Sequence, residues 1–365
     1  MLQVARQFHP CTGGVERFVM DLSHHLQRRG IRSDVLTLNN CFYARDALPT
    51  HDTVQGILVT RVPYAGGRRL FLAPGVLRFL SEYDLLHVHN VDFFAHFLSV
   101  TKAYHGKPIV VSTHGGFFHT EKLVLAKKAA FHTVTRLLLP RADQVVADSV
   151  HDRDLFARIV PNIVLIENGV DFRRLSGVHK SIDPGLLLYV GRLATNKRVD
   201  NLIRALGALR QLDHNARLAL VGPDFDGLRP QLEALAASQS VADAVTFVGR
   251  VPESELAYWL GRAHLFVSAS EYEGFGISVL EAMSAGTVPV VNPLPSFEGF
   301  IDDASNGFFT NFDHPGRAAG VLARVLQMDL ETLTTIGQRA KQTAQRYAWE
   351  NVVHQWLTLY GEVAS

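Results

Sequence analysis

The sequence predicts an α/β protein with two Rossmann-like domains, on three observations. Short apolar runs alternate with longer helical patterns along the chain. The alternation pauses near residue 170 and restarts after Pro184. At 365 residues, the chain is too long for a single hydrophobic core. In the first series the strand-like runs are LQVARQF (2–8), SDVLTL (33–38), ILVTRV (57–62), DLLHVH (84–89), PIVVST (108–113) and DQVVADS (143–149). Between the first two, GGVERFVMDLSHHLQRRG reads as a helix closed by Gly30, a natural C-cap. The second series is LLLYVG (186–191), ARLALVG (216–222), AVTFVG (244–249), AHLFVSAS (263–270) and TVPVV (287–291). Continuous apolar strands joined by helical crossovers imply parallel sheets covered on both faces. The boundary falls in ENGVDFRRLSGVHKSIDPG (167–185), which has turn formers and no clear period. The expected domains are therefore 1–172 and 173–345, followed by a C-terminal helix, 346–365.

Composition narrows the class. Hydrophobic content of 47% with 19% charged residues is that of an ordinary globular protein. No run of eighteen apolar residues exists, so no membrane-spanning helix is expected, and MLQVARQFHP lacks the features of a signal peptide. Cys11 and Cys41 make neither a disulfide framework nor a metal-ligand set, which points to a reducing cytoplasm. Charge is uneven: residues 1–170 carry 19 Lys and Arg against 14 Asp and Glu, while the remainder carries 17 against 21. Such asymmetry arises by chance or because the first half meets an anionic partner. Nothing points to nucleic acid.

In open α/β sheets, ligands bind beyond the carboxyl ends of the strands, and four stretches occupy such positions. CTGGVERF places Gly13 and Gly14 at a helix start, where backbone N–H groups can face a phosphate or simply form a turn. It is not Gly-x-Gly-x-x-Gly, so the nicotinamide fingerprint is missing. VGRLATNKRVD holds Arg192 and Lys197, fixed cations suited to a diphosphate without metal, or else a solvated basic loop. VSTHGGFFHT sets His114 at a strand end, where its ring can face a cleft; His87 and His89 in HVHN read as cleft-lining or packed. EYEGFGISVLEAMSAG separates Glu273 and Glu281 by seven residues, around a helix expected to start near Gly276. Two carboxylates so spaced suit an extended sugar nucleotide. Asp224 and Asp226 in DFD imitate a metal-binding Asp-x-Asp but lie away from this loop, so no metal site is assigned.

These motifs resemble the retaining glycosyltransferases of family 4, which have the GT-B fold, two Rossmann-like domains facing across a cleft. EGFGISVLE is similar to their E-x7-E motif. STHG, ADS (147–149), IENGVD (166–171), VGRL with NK (190–197) and RYAWENVV complete a match over nearly the whole chain. RQFHPCTGGVE, VDFF, KPIVVSTHGGFFHT and DLFA resemble the subgroup that moves mannose from GDP-mannose to a polyprenyl-diphosphate-linked cellobiose in bacterial exopolysaccharide assembly. The resemblance implies that Arg192 and Lys197 grip the donor diphosphate and that Glu281 binds the ribose. It implies that Glu273, with the N–H groups of Phe275 and Gly276, holds the transferred sugar. His114 and Ser149 would lie on the acceptor side, with Gly13 and Gly14 approaching the donor.

Several expectations follow from the resemblance. The leaving diphosphate would be stabilised by Arg192, Lys197 and helix N-termini, with attack on the same face of the sugar. No cofactor or metal is expected, because the nucleotide sugar is a substrate. The stripe Trp349, Val352, Val353, Trp356, Leu357 and Tyr360 would return the C-terminal helix to the first domain. A lipid-linked acceptor implies an anionic membrane surface, met peripherally from the cytoplasmic side. A helix over 121–141 is expected to dock there, with Leu123, Ala126, Ala130, Val134 and Leu137 in the core. Lys128, His132 and Arg136, beside Leu125 and Leu139, would face outward. The alternatives are a UDP-sugar donor, a GT-B sugar-nucleotide epimerase, and a nicotinamide dehydrogenase, the last opposed by the missing fingerprint.

Overall fold

A computed structural model describes residues 1–11, 13–42, 47–67, 70–115, 131–212 and 215–365. Met1–Gly169 with Trp349–Ser365 forms one compact unit, and Val170–Ala348 the other. The divisions fall at Gly169/Val170 and Ala348/Trp349, not at 172/173 and 345/346. Val170 belongs to the second unit because its N–H donates to Tyr347 O at 2.8 Å and it bridges Ala348.

The first unit is built on strands β1 (Leu2–Ala5), β2 (Asp34–Leu38), β3 (His51–Val54), β4 (Ile57–Val62), β7 (Leu86–His89), β8 (Ile109–Ser112), β9 (Gln144–Ala147) and β10 (Ile163–Leu165). Their order is β10-β9-β8-β7-β1-β2-β4-β3, parallel except for the edge strand β3. A separate hairpin pairs β5 (Ala65–Gly67) with β6 (Leu70–Leu72). Alternation along the strands sends Leu86 and Val88 to one face, and His87 and His89 to the other. The second face is covered by helix α1 (Gly14–Gln27) and the C-terminal helix Trp349–Ala364. Phe18 of α1 lies 5.4 Å from the Trp349 ring and 5.9 Å from that of Trp356. Both tryptophans are about 1% exposed, and each large side chain so buried contributes roughly 1.5–3 kcal/mol.

The second unit has an all-parallel sheet ordered β13-β12-β11-β14-β15-β16. Its strands are β11 (Leu186–Val190), β12 (Arg217–Val221), β13 (Val245–Gly249), β14 (Leu265–Ser268), β15 (Val288–Val291) and β16 (Phe308–Phe309). Apolar clusters line both faces.

Two expectations are overturned. Cys11 and Cys41 are joined by a disulfide, with Cα atoms 5.7 Å apart. They follow β1 and β2, which pair in parallel, so the sheet brings together residues separated by 30 positions. Paired in this way, the two cysteines do not point to a reducing compartment. The second correction concerns the helix expected over 121–141. Leu123, Leu125, Ala126, Lys128 and Ala130 lie outside the described residues. In the described remainder the apolar placements are reversed: Val134 and Leu137 are 48% and 65% exposed, whereas Leu139 is fully buried. His132 and Arg136 are exposed. Phe131–Thr135 forms a π turn, followed by short α and 3-10 turns, so a 3.6-residue period cannot hold. No helix of the described residues is long and apolar enough to cross a membrane.

Candidate active site

In the second unit, two loops at the carboxyl ends of β11 and β14 are tied together. Glu271 N donates to Asn196 O at 3.0 Å, and Asn196 Nδ2 to Tyr272 O at 3.3 Å. This brings Lys197 Nζ to 2.6 Å from Glu273 Oε1, with both side chains about 15% exposed. Ser270 Oγ also donates to Glu273 Oε1, at 2.8 Å. Arg192 is held from two sides: the Tyr189 hydroxyl donates to its carbonyl at 2.9 Å, and its guanidinium lies 4.4 Å from the Phe225 ring centre. Asp224 and Asp226 build the same scaffold. Asp226 accepts from Thr195 N at 2.9 Å, and Asp224 caps the helix Arg229–Ser238 by accepting from Leu228 N at 2.8 Å. Among the described residues no three His, Cys, Asp or Glu side chains cluster as metal ligands.

Gly276 caps the helix Ile277–Ser284 at φ +102, a conformation that favours glycine. A Cβ there would stand 2.5 Å from Phe297 Cε1. Phe275 is buried, 6.0 Å from the Phe300 ring and 5.6 Å from Tyr347. The helix carries Glu281 away from Glu273 to a different cation, with Glu281 Oε1 3.9 Å from the Arg174 guanidinium. Arg174 also reaches Asp171 at 3.1 Å and the Glu253 carboxylate at 3.6 Å. Sequence reasoning missed Arg174, although it stands just past the N-G-V-D turn that was singled out.

In the first unit, Gly13 and Gly14 start α1: Gly13 is extended, and a Cβ there would collide with the Glu16 carboxylate of the first helical turn, whereas a Cβ on Gly14 would meet nothing within 4 Å. Ser149 caps the helix Val150–Phe156, its hydroxyl accepting from Asp152 N at 3.2 Å. His114 has φ +50 and a side chain 4% exposed, so its ring is turned inward and not presented to open solvent. Its Nε2 is 2.9 Å from His89 Nδ1, and its Nδ1 is 3.9 Å from Asp148 Oδ2. Asp152 accepts from the Thr113 hydroxyl, and from Gly115 N at 3.3 Å. Burial, then the neighbouring Asp152, pushes the Asp148 carboxyl well above its usual range; burial also raises Asp152. Burial pushes His114 down to about 3. This end of the sheet therefore holds a neutral imidazole beside two carboxyls raised above their usual range.

A family model described as "Glycosyl transferases group 1" matches residues 174–343, and one described as "Glycosyltransferase Family 4" matches 12–174. A GDP-mannose:cellobiosyl-diphosphopolyprenol alpha-mannosyltransferase of Komagataeibacter xylinus is 35% identical over 100% of this chain and 93% of its own. A protein of the same name from Xanthomonas oryzae pv. oryzae is also 35% identical, over 99% of this chain and 96% of its own. The chain belongs to glycosyltransferase family 4. Anabaena HepE in complex with UDP and glucose superposes with a TM-score of 0.79 at 18% identity, over 99% of this glycosyltransferase and 100% of HepE. Sucrose-phosphate synthase from Thermosynechococcus elongatus gives 0.78 at 20%, over 99% and 98%. These likenesses identify the fold of the glycosyltransferase as GT-B. The groups in the glycosyltransferase that sequence reasoning did not single out as site residues are His89, Asp148 and Asp152 as well as Arg174. The only signals were the two-residue spacing in HVHN and the ADS motif.

Proposed function

We propose that this glycosyltransferase moves mannose from GDP-mannose to a polyprenyl-diphosphate-linked cellobiose in exopolysaccharide assembly, with retention of configuration. The full-length relatives named for that reaction support the choice of substrates. The structural observation that carries the chemistry is the Lys197–Glu273 pair. With its carboxylate held by Lys197 and Ser270, Glu273 is suited to accepting hydrogen bonds from sugar hydroxyls and poorly suited to attacking the anomeric carbon. Arg192 and Lys197 would stabilise the departing GDP diphosphate, which in turn would take the acceptor proton during same-face attack. Glu281 would hold the ribose. His114, with Ser149 nearby, would meet the acceptor side. The test is product formation from cellobiosyl-diphospho-polyprenol with GDP-mannose, UDP-glucose and UDP-N-acetylglucosamine in parallel. A mannosylated trisaccharide lipid is expected only with GDP-mannose. Faster transfer from a UDP-sugar, or a new epimer from a nucleotide sugar alone, would overturn the assignment.

The reaction would need no divalent cation, because Arg192 and Lys197 supply the positive charge and both carboxylates of the DFD stretch cap backbone N–H groups. Initial rates after exhaustive chelation are expected to match untreated enzyme. A loss restored only by magnesium or manganese would reverse this reading.

The enzyme would work peripherally on the cytoplasmic face of an anionic membrane, where a nucleotide sugar and a lipid-linked acceptor meet. The supporting feature is a basic apolar surface around helix α2 (Phe93–Val100). Val100, Tyr104, Leu70, Leu72, Val134 and Leu137 are all between 48% and 82% exposed. Phe71, between the two hairpin leucines, packs 5.6 Å from the Phe93 ring, and Thr135 Oγ1 lies 3.3 Å from His96 Nε2. Residues 93–107 and 131–142 contain Lys102, Lys107, Arg136 and Arg141; Asp143, the next residue, pairs with Lys102 at 2.5 Å, which leaves Lys107, Arg136 and Arg141 as the net basic charge. Replacing Leu72 and Leu137 with aspartate and Arg136 with glutamate is expected to lower sedimentation with phosphatidylglycerol vesicles at least about tenfold, at about 1 kcal/mol per basic residue. Donor binding should persist. Unchanged sedimentation at low salt would remove this surface from the reading.

A further inference from the structure

His87 and His89 stand side by side on β7, both fully buried, where a strand core ordinarily holds aliphatic residues. The partners of His87 explain it. Its Nδ1 is 2.8 Å from the Tyr360 hydroxyl and its Nε2 2.8 Å from Ser112 Oγ, so it ties the C-terminal helix to the sheet. The partners of His89 lead elsewhere. Its Nε2 is 2.8 Å from Gln3 Oε1, and its Nδ1 meets His114 Nε2. Gln3, also fully buried, donates from Nε2 to Ser33 Oγ at 3.2 Å, and the Ser33 hydroxyl donates to Ser23 Oγ at 3.1 Å. A polar seam thus runs from α1 through β1 and β7 and ends on His114.

The Gln3 amide, with its nitrogen on Ser33, sets the arrangement of protons along the seam. Because Ser33 accepts from the Gln3 amide nitrogen, the amide oxygen faces His89. That oxygen only accepts, so His89 Nε2 carries a hydrogen. Burial, with His87 and His114 adding to it, holds His89 well below the usual imidazole range, so the ring is neutral and its lone pair lies on Nδ1. His114 Nε2 must then be the donor. The lone pair of the neutral His114 ring is left on Nδ1, and Asp148 Oδ2, at 3.9 Å, is too distant to occupy it directly.

We propose that Gln3 and His89 are positioning residues that present His114 as the Nε2–H tautomer, so that Nδ1, which has no hydrogen-bond partner among the described residues, accepts from a substrate hydroxyl. The proposal rests on the reading of His114 as an acceptor-side group. It gives a reason for burying two polar side chains where apolar ones would avoid the desolvation cost. It also fits the left-handed backbone of His114, since strained conformations persist where neighbours over-determine them.

Imidazole nitrogen NMR on histidine-labelled protein tests it, with His114→Gln identifying the His114 signals. The hydrogen is expected on Nε2. Gln3→Met, similar in size but without the acceptor, is expected to mix the two tautomers. It should lower kcat about 10²-fold through misplacement of the ring, with donor KM unmoved. His89→Asn keeps an acceptor at the Nδ1 position and should retain both the Nε2–H signal and more turnover than His89→Leu. A hydrogen on Nδ1 in the intact protein overturns the proposal. So does Gln3→Met with the tautomer and kcat unchanged. If Gln3→Met does not fold, equal His114 signals and equal turnover in the two His89 variants have the same force. The spectra need no sugar, so they remain decisive even where the donor assignment fails.

Discussion

Lys197→Ala is expected to lose most sugar transfer while the protein stays folded. Two effects add. The cation proposed to face the donor diphosphate is gone, and Glu273 loses the partner that sits 2.6 Å from it. Hydrogen bonds to charged groups are worth roughly 1.5–3 kcal/mol, so kcat/KM should fall on the order of 10²- to 10³-fold. Stability should fall less, because the pair is partly open to solvent and such ion pairs contribute about 1 kcal/mol or less. Glu281→Ala is expected to be comparably damaging for a separate reason: it removes the proposed ribose contact and leaves Arg174 with fewer carboxylates opposite it. Initial rates over a donor series, with circular dichroism as the folding control, decide the matter. Near-normal turnover by either variant at saturating donor would refute its role.

Gly276→Ala is expected to be the most destabilising conservative change at the site. The backbone at φ +102 lies outside the regions an L-residue adopts readily, which costs about 1–2 kcal/mol. The added methyl would also stand 2.5 Å from Phe297 Cε1, and Phe297 is fully buried. Overpacking of that kind costs about 1–3 kcal/mol more. A loss of about 2–5 kcal/mol in total lowers Tm by about 2–4 °C per kcal/mol in a unit of this size. The start of the helix Ile277–Ser284 would shift with it, so transfer should weaken in parallel. A Tm within about one degree of the parent would show that the turn relaxes without strain.

The strands that hold the two sheets together were legible because each is a continuous apolar run, buried on both faces. Those missed were peripheral: β3 and β10 close the ends of the first sheet, and β16 has only two residues, Phe308–Phe309. The reading of 131–141 failed because a π turn breaks the period that sequence reasoning must assume. At the site, Lys197, Glu273, Gly276 and Glu281 were legible because each motif is local in the chain. Arg174 was not, since its partner Glu281 lies far along the sequence. Gln3 and His89, 86 positions apart, meet only because β1 and β7 are neighbours in the sheet. The Cys11–Cys41 bond was hidden for the same reason.

The chain enters and leaves the second unit at one point. Val170 and Ala348 bridge each other, and Gly169 is packed against the Trp349 ring just outside them. In genetic terms, the second unit is an insert: a single contiguous segment with adjoining ends, lodged inside a discontinuous host. A recombination event that replaces residues 170–348 can therefore exchange one such module for another without cutting the host fold. A stop codon directly after residue 348 has the opposite effect. It spares the insert and strips Trp349, Trp356 and Tyr360 from the sheet that carries His87, His89 and His114.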